Sequence, residues 1–543
     1  MEPLPGPLTQ RAPRFTLFAA FVLLAVIHTW PLALAPGYYS RLDSADANLN
    51  TWAIAWVAHT LPWRPGQLFD APIFHPARLT FAYSEPLIVQ GMLAKPILAL
   101  GGSPVLAYNL VLLAGFVLTA LAAGLLVLGL TGEFWAALVA GSLAAFNAHT
   151  LTRLPHLQAM HLEFLPLAIL ALDRVAARAR VGDALLLAVA VALQALTSIY
   201  SLVFTAWSLA WAAAARGMGD NTSRWRSLGL IVLAAGVCGV LLSPVLYPYY
   251  LLAHESGLVR TVGESRLFSS TWTDYLFTDA RVHYGMWSQR FASSADANFP
   301  GIVATLLALV ALTRFLRDRY VRMAASMVVG AVLLSVTPRL PGFEWAHAHL
   351  PGLSAIRGYS RAGQFALMVI ALLAGFGVAR LRERWNPRRG WPLVGAALVV
   401  LVNLEALRAP LVYVPFRGVP PIYGTLAATG TGVIELPMPG PGAEFKNAPY
   451  LVNATSHWLP MVNGYSGFTP RGFMDIYRGM RRFPDDWSIA WLRTNRVNRI
   501  VVHASEFEQL KGTPQLQKVE TWPDLELLAT EGDIRVYGVR PAP

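Results

Sequence analysis

Two carboxylic acids stand close together near the start of the chain, within the segment Arg41-Leu-Asp-Ser-Ala-Asp46. Only 31 of the 543 residues are acidic, so a pair this close is uncommon in this sequence. A carboxylate can deprotonate a hydroxyl group or bind a divalent cation. From one helical turn, Asp43 and Asp46 could reach the same substrate or metal. They are therefore candidate catalytic residues, although either could instead cap a helix that begins near residue 46.

A denser group of polar residues lies between two apolar runs, at positions 147–163. Polar side chains at membrane depth are costly unless they line a cavity, so this segment is a candidate substrate-binding site. If Pro155 begins a helix, His156 and Glu163 lie two turns apart on one face of it. The alternatives are a plain interfacial loop and a metal site, for which the ligand spacing is unfavourable. The candidate substrate-binding residues here are His149, Arg153, His156, Gln158, His161 and Glu163.

Two further positions carry charges suited to a substrate. Glu85 directly precedes an apolar run at 86–100 and could face the same cavity, or it could be an exposed loop acid. Arg357 and Arg361 precede a later apolar run. Arginine binds phosphate oxygens through two parallel hydrogen bonds and keeps its charge, so this pair suits a lipid phosphate. In the alternative interpretation, both side chains simply extend to the membrane interface.

The composition places these residues in a membrane protein. Hydrophobic residues make up 55% of the chain and charged residues 14%, with a mean hydropathy of +0.46, whereas soluble domains contain about 25% charged residues. The net charge of +12 does not indicate nucleic-acid binding, because the arginines cluster in short loops between apolar runs. The single cysteine, Cys238, excludes disulfides and a cysteine-based metal site.

About eleven apolar runs are long enough to cross a bilayer or nearly so. With a cytoplasmic N-terminus, nearly every arginine cluster falls in an inward loop, as the positive-inside rule requires. The first run follows Arg11 and Arg14 and is predicted to be a retained signal-anchor helix. The predicted spans are 15–35, 104–130, 134–147, 161–175, 184–198, 201–215, 228–251, 299–314, 323–337, 363–380 and 391–411.

The long outward segments predict the domain organisation. The first, 36–103, contains two helices at the membrane surface, one over 48–61 with Trp52 and Trp56 on its interfacial face, and one over 86–100 that carries Lys95. The last, 412–543, contains strand-like runs at 433–436, 499–503 and 534–539, with a helix near 488–493. We therefore expect an α-helical polytopic membrane domain over 1–411, including the loop 36–103, and a small extracytoplasmic α/β domain over 412–543.

Taken together, these features resemble the GT-C superfamily of integral-membrane glycosyltransferases. The shared features are an acidic motif in the first outer loop, interfacial helices, many spans and an outward C-terminal domain. More narrowly, the chain resembles bacterial multi-span proteins of glycosyltransferase-39 or YfhO-like type. The stretches that carry this narrower resemblance are Asn48-Leu-Asn-Thr-Trp-Ala-Ile-Ala-Trp56, Pro155-His-Leu-Gln158, Ile356-Arg-Gly-Tyr-Ser-Arg361 and Val462-Asn-Gly-Tyr465.

The resemblance implies transfer of a sugar, with inversion, from a polyprenyl-phosphate-linked donor to a glycan, lipid or protein acceptor. Asp43 would be the general base, and Asp46 would assist it or help to hold a divalent cation, Mg²⁺ or Mn²⁺. Arg357 and Arg361 would hold the leaving phosphate. GT-C enzymes often have adjacent acids in this loop, whereas two residues separate them here, so metal dependence stays open. No other cofactor is expected.

The implied location is the inner membrane of a bacterial cell, with the N-terminus cytoplasmic and the C-terminal domain outside. Two other functions compete with a transferase. A transporter or flippase for a lipid-linked glycan would place ionisable residues in mid-span and show internal symmetry between its halves. A non-catalytic assembly protein would display its outer domain without needing Asp43.

Overall fold

The structure is a computed structural model that describes residues 11–217, 221–256, 260–292, 296–350, 353–385, 388–509 and 512–541. Residues 1–10, predicted to be cytoplasmic, lie outside the described residues. The chain divides into two units. We call residues 1–35, 110–247 and 257–412 the bundle unit, and residues 36–109, 248–256 and 413–543 the loop–sheet unit.

The predicted domain bounds stay a prediction. In the structure, the first outer loop, assigned above to the transmembrane domain, is grouped with the C-terminal segment in the loop–sheet unit. The physical reason is direct pairing between the loop and the C-terminal segment. Strand β1 (Tyr39–Ser40) pairs antiparallel with β2 (Val414–Pro415), and the hydroxyl of Ser40 donates to the carbonyl of Val414 over 3.0 Å.

Helices account for most of the described chain. They are α1 (Arg11–His28), α2 (Ala45–Thr60), α3 (Ile88–Ala99), α4 (Pro104–Thr131), α5 (Phe134–Ala145), α6 (Ala148–Thr152), α7 (Phe164–Arg178), α8 (Val181–Thr197), α9 (Ile199–Arg216), α10 (Asn221–Ser256), α11 (Val262–Leu267), α12 (Arg281–Tyr284), α13 (Ile302–Leu312), α14 (Arg319–Val336), α15 (Phe343–His349), α16 (Ala362–Arg384), α17 (Trp391–Ala406), α18 (Ile422–Thr425), α19 (Ala448–Ala454), α20 (Phe473–Met480), α21 (Asp486–Thr494), α22 (Ala504–Gln509) and α23 (Thr513–Thr521).

Each predicted span coincides with one of these helices. Among the described residues, five helices are long and apolar enough to cross a membrane, and they contain α4, α5, α10, α14 and α16. Five shorter apolar helices accompany them, namely Pro13–His28, Ile88–Ala99, Val181–Thr197, Ile302–Leu312 and Trp391–Ala406. The chain is therefore a multi-pass membrane protein, and the count of eleven spans stays a prediction.

Small residues allow the central helices of the bundle unit to approach one another closely. A side chain at Gly377 of α16 would collide with the backbone of Leu307 in α13. One at Gly375 would meet Ala140 of α5 at 2.8 Å. Membrane helices without a hydrophobic driving force associate through such close contacts. Helix α16 is consequently buried along most of its length and is the central helix of this unit.

The loop–sheet unit contains a four-stranded mixed sheet. Its strands are β3 (Val433–Leu436), β4 (Arg499–His503), β5 (Leu525–Glu531) and β6 (Ile534–Val539), in the order β3-β4-β6-β5. β3 and β4 are parallel, and the other two pairings are antiparallel. The three predicted strands are present, and α21 precedes β4 as expected. Strand β5 was not predicted, because as an edge strand it exposes most of its side chains.

Helices α2 and α3 confirm the two helices predicted in the first outer loop. The predicted interfacial face of α2 is wrong, however, because Trp52 and Trp56 are only 1% and 7% exposed. Trp52 packs edge-on against Phe81, and the indole of Trp56 donates to the carbonyl of Leu68 over 2.8 Å. Both side chains therefore belong to the core of the loop–sheet unit.

Candidate functional site

The acidic motif lies in the loop–sheet unit, at the start of α2. The N-cap residue of this helix is Ser44, so Asp43 lies outside the helix and does not cap it. The Asp43 side chain is 45% exposed, and its two oxygens accept from Nε and Nη2 of Arg41 at 3.1 and 3.2 Å. Asp46 lies in the first turn of α2 and accepts from the hydroxyl of Tyr465 at 3.3 Å. The capping interpretation of Asp43 is therefore wrong.

A polar pocket lies in the bundle unit. Helix α6 begins with a reciprocal pair of hydrogen bonds between Asn147 and Thr150, which turns the chain sharply after α5. The pocket follows this turn, and its open space is about 20 Å³, room for about one water molecule. The residues that line it are His149, Arg153, His156, Gln158, Ala159, Ser198, Tyr200, Ser201, Phe204, Arg361, Gln364 and Phe365. Predicted substrate-binding and phosphate-binding residues therefore meet in one place.

A carboxylate that the sequence analysis missed positions this pocket. Asp296 is 4% exposed and forms an ion pair with Arg153. It also accepts from the hydroxyl of Ser360, and one of its oxygens lies 3.9 Å from Nδ1 of His149. Asp296 therefore connects the polar segment 147–163 to the residues just before α16.

The charges around the pocket favour an anionic ligand. Burial alone would raise the pKa of Asp296, but the neighbouring His149 and Arg153 and the hydrogen bond from Ser360 lower it below its ordinary value. Burial and the charges of Arg361 and Arg153 hold the pKa of His156 well below its ordinary value. At pH 7 the pocket thus has a neutral imidazole at His156 and two guanidinium groups near Asp296. Such an arrangement suits a phosphate group.

Arg361 marks the mouth of the pocket. Its guanidinium group lies 5.3 Å from the ring centroid of Tyr200, a cation–π contact. Gln364, one turn along α16, donates to the backbone carbonyl of Ala159. The polar segment and the start of α16 are therefore held together by side chain-to-backbone contacts, and the small volume means that a ligand must displace water or move Arg361.

Four predicted substrate residues lie elsewhere. Nδ1 of His161 is 2.9 Å from Oε1 of Glu163, both are buried, and the ring packs against Gly115 of α4. The helix predicted from Pro155 is wrong, because α7 begins at Phe164 with Glu163 as its N-cap. Arg357 lies 3.7 Å from Glu264 and 4.7 Å from the Phe268 ring centroid. Glu85 is half-buried in the loop–sheet unit, before α3.

The candidate residues do not form a ready-made cation site. In the described part of the chain, no group of three or more His, Cys, Asp and Glu side chains is arranged to hold a metal ion. Asp43 is engaged by Arg41, and Asp46 faces the hydroxyl of Tyr465. A divalent cation prefers several oxygen ligands around one point, so these residues do not fit it, and no cation enters the mechanism proposed below.

A signal for Asp296 was present in the sequence. The five residues Ser-Ala-Asp-Ala-Asn occur twice, at 44–48 in the acidic motif and again at 294–298. A search for internal repetition of the acidic motif would have found the second copy. No comparable signal marks Ser198, Ser201 or Gln364, which reach the pocket from helices distant in sequence.

The described geometry was compared with known proteins. No protein-family model matches the chain, and no curated protein matches it. Among solved structures, arabinofuranosyltransferase AftD from Mycobacteria is similar, with 15% sequence identity and a TM-score of 0.57 over 98% of this chain. The chain spans 40% of the length of AftD. The neighbouring structures are GT-C glycosyltransferases.

This chain shares the fold of AftD.

Two more distant structures also match. The Archaeoglobus fulgidus oligosaccharyltransferase has 12% identity and a TM-score of 0.47, with 92% of this chain and 70% of that chain covered. ArnT from Cupriavidus metallidurans, solved with undecaprenyl phosphate, has 12% identity and a TM-score of 0.41, with 97% and 98% covered. The shared fold rests on AftD, and at this identity the similarity concerns the fold alone.

Proposed function

We propose that this protein is a glycosyltransferase that moves a sugar from a polyprenyl-phosphate-linked donor to a glycan, lipid or protein acceptor. The observation that carries the proposal is the convergence of Arg153, Arg361 and a neutral His156 on one pocket of a membrane bundle. A membrane protein rarely places charged side chains between its helices without a ligand or a polar pathway. The phosphate of a lipid-linked sugar is a ligand with the matching charge.

Arg361 and Arg153 have different roles in this proposal. Arg361 lines the pocket and lies against Tyr200, and in this proposal its guanidinium group binds the incoming phosphate. Arg153 is fixed by its ion pair with Asp296 and supplies a preorganised positive charge, which stabilises the charge that develops on the leaving phosphate. Asp296 acts through Arg153 and is a positioning residue.

The acidic motif supplies the base in this proposal. In the transfer, the bond between the sugar C1 and the phosphate oxygen breaks, and the acceptor oxygen bonds to C1 from the opposite face. The acceptor hydroxyl gives its proton to Asp43, and polyprenyl phosphate leaves. Exposure of the Asp43 carboxylate supports this role, because a base must be accessible to its substrate. Asp46 assists by its charge. A phosphate leaving group needs little help from an acid.

The proposed location follows from the arginine clusters. Loops such as 314–322 and 380–390 are rich in arginine and are placed in the cytoplasm by the positive-inside rule. Arg361, at the opposite end of α16 from the second of these loops, is then on the outer side. We propose the inner membrane of a bacterial cell, where lipid-linked sugars meet envelope acceptors.

The test is transfer of radiolabelled sugar from a panel of polyprenyl-phosphate sugars by purified protein. Wild type is compared with Asp43→Asn and Arg361→Gln, and Arg357→Gln serves as the matched control because Arg357 does not line the pocket. We expect no transfer by Asp43→Asn. For Arg361→Gln we expect kcat/KM to fall about 10- to 100-fold, the effect of losing a hydrogen bond to a charged group.

Each other result has a definite meaning. Equal activity of Asp43→Asn and wild type removes Asp43 from the mechanism. Equal loss by Arg357→Gln and Arg361→Gln removes the pocket as the phosphate site. No transfer by a well-folded wild type from any donor favours a flippase or an assembly protein, which a lipid-translocation assay in vesicles then separates.

A further inference from the structure

A second polar cavity lies at the other end of the bundle unit. It is formed where α4, α13 and α16 end and where α14 begins, and its volume is about 760 Å³. Ligand pockets in proteins typically enclose about 300–1,000 Å³. Its charged lining consists of Arg314, Arg380, Arg382, Glu133, Asp318 and Glu383. None of these residues has a part in the transfer proposed above.

The cavity and the transfer pocket lie at opposite ends of the same helix. Arg361 immediately precedes α16, and Arg380 to Glu383 lie in its last turns. The 23 residues of α16 correspond to a length of about 34 Å at 1.5 Å per residue. The hydrocarbon core of a bilayer is about 30 Å thick. The cavity therefore faces the opposite membrane surface, on the side of the arginine-rich loops.

The cavity lining has three guanidinium groups and three carboxylates, but two of the guanidinium groups pair with the same carboxylate. Arg314 and Arg380 share a single oxygen of Glu383, at 2.5 and 2.6 Å. In the part of the chain that the structure describes, Nε of Arg314 and Nε of Arg380 are buried without a hydrogen-bond partner. A buried donor left unpaired costs free energy, so these two groups favour an acceptor that brings several oxygens.

The other two carboxylates are already committed. Glu133 accepts from the indole of Trp391 at 2.9 Å and from the backbone of Trp135 at 3.4 Å, and it is 3.8 Å from Arg382. Asp318 caps α14 by accepting from two backbone N–H groups. Neither acid can fully balance Arg314 and Arg380.

We propose that this cavity binds a phosphate group, held by Arg314 and Arg380. The group could belong to the head of an anionic phospholipid in the adjacent leaflet or to a soluble phosphate compound. An orientation signal alone needs positive charge but no cavity, whereas here the charges line a space of ligand size. The ligand would hold α13, α14 and α16 at a fixed spacing.

The experiment measures binding to the purified, delipidated full-length protein in detergent. The probes are short-chain phosphatidylglycerol and inorganic pyrophosphate, with short-chain phosphatidylcholine as the zwitterionic comparison. We expect wild type to bind at least one of the first two probes. Binding of phosphatidylglycerol alone identifies a lipid headgroup, and binding of pyrophosphate alone identifies a soluble ligand. Failure to bind either overturns the proposal.

Matched variants locate the binding. Arg314→Gln with Arg380→Gln should weaken it at least about tenfold, as loss of charge-assisted hydrogen bonds implies. Arg317→Gln with Arg384→Gln removes the same charge from exposed positions beside the cavity and should change it less than about twofold. Equal weakening by both pairs overturns the proposal. If the double variant Arg314→Gln with Arg380→Gln does not fold, Glu383→Gln provides the test. It releases both arginines from their ion pairs and should therefore tighten binding of the probe. Unchanged or weaker binding overturns the proposal.

The transfer reaction gives an independent readout. A probe bound at Arg361 instead would be insensitive to the Arg314 and Arg380 substitutions and sensitive to Arg361→Gln. Loss of the cavity site should leave transfer by the Arg361 pocket measurable. The two proposals can therefore fail separately.

Discussion

The residues Asp-Ala-Asn, which end both copies of the pentapeptide Ser-Ala-Asp-Ala-Asn, have two different structures in this molecule. At 46–48 they lie at the start of helix α2, with Ser44 as its N-cap and Asp46 partly exposed in the first turn. At 296–298 they have no regular secondary structure, and Asp296 and Asn298 are 4% and 0% exposed. Identical residues thus form an accessible acidic turn in one unit and a buried ionic contact in the other.

The residues that follow explain the difference. After Asn48 the sequence continues with residues that suit a buried helix, through Trp52. After Asn298 come Phe299, Pro300 and a glycine, and the residue before a proline is disfavoured in the helical conformation. Gly301 then adopts φ of +97°, which an L-residue rarely does. The comparison shows that an acidic motif by itself indicates only that a polar contact forms. The residues that flank the motif decide whether its aspartate is accessible to a substrate or is buried and positions another residue.

The largest expected effect is the difference between the two equivalent aspartates. Asp296→Asn leaves the Arg153 guanidinium without its carboxylate. Removing one partner of a buried pair costs about 3–5 kcal/mol, and because Arg153 is 30% exposed we expect about 3 kcal/mol. Asp46→Asn should cost about 1 kcal/mol or less, since the amide oxygen of Asn can still accept the hydrogen bond from Tyr465. Denaturant unfolding in detergent measures both. Equal losses would mean that the two copies are energetically alike.

The second prediction concerns the stability of the protein at low pH. The pKa of Asp296 is lower in the folded protein than in the unfolded chain. Its ionised carboxylate therefore stabilises the fold fully above the unfolded pKa of about 3.9. This stabilisation is lost as the pH falls through the pKa of the folded state. The groups facing it are Arg153, His149, Ser360 and Arg361. We expect the stability gap between wild type and Asp296→Asn to narrow below about pH 4. Thermal unfolding from pH 7 to pH 3 measures this gap, and a constant gap contradicts the assignment.

The sequence predicted local features well and long-range contacts poorly. The strands at 433–436, 499–503 and 534–539 and the helices of the first outer loop followed from periodicity, which depends on neighbouring residues. The contact of Arg153 with Asp296 joins positions 143 residues apart, and no local pattern encodes it. The burial of Trp52 was missed for the same reason, because the side chain packs against Phe81 from a later part of the loop.

The sequence predicted several residues of the candidate site but not how they are arranged in space. The polar segment at 147–163 and Arg361 were identified, yet His161 and Glu163 form their own buried pair and Arg357 contacts Glu264. Residue type indicates which side chains can bind a phosphate, whereas helix packing decides which of them face the pocket. The loop 36–103 belongs with the C-terminal segment because of β-pairing that composition does not reveal.

The third prediction tests the packing around Asn298, in the buried copy of the pentapeptide. A methyl group at Gly363 of α16 would lie 2.6 Å from the side-chain amide of Asn298, which also donates to the hydroxyl of Ser270 at 3.0 Å. Gly363→Ala should cost about 1–3 kcal/mol, as overpacking does. Gly129→Ala in α4 is the control, because nothing lies within 4 Å of its added methyl group. The control should be neutral or stabilising, and a neutral Gly363→Ala would show that the buried copy can move.

The smallest expected change in stability is at Asp43, which directly precedes the exposed copy of the pentapeptide. Asp43 is 45% exposed and paired with Arg41, and such surface pairs contribute about 0–1 kcal/mol. Asp43→Asn should therefore unfold close to wild type, although the proposed mechanism requires it to abolish sugar transfer. A large loss of stability would mean that Asp43 is structural after all.

Arg41→Gln separates the two roles of Asp43. It breaks the same ion pair, so the two substitutions should change the free energy of unfolding by similar small amounts, measured by denaturant unfolding. They should differ in transfer activity, because Arg41→Gln leaves the carboxylate in place and more available to accept a proton. If both variants lose transfer equally, the ion pair itself is required and Asp43 is not a free base. If only Asp43→Asn loses transfer, the exposed acid beside the first copy of the pentapeptide takes part in the chemistry, whereas Asp296 in the buried copy has a positioning role.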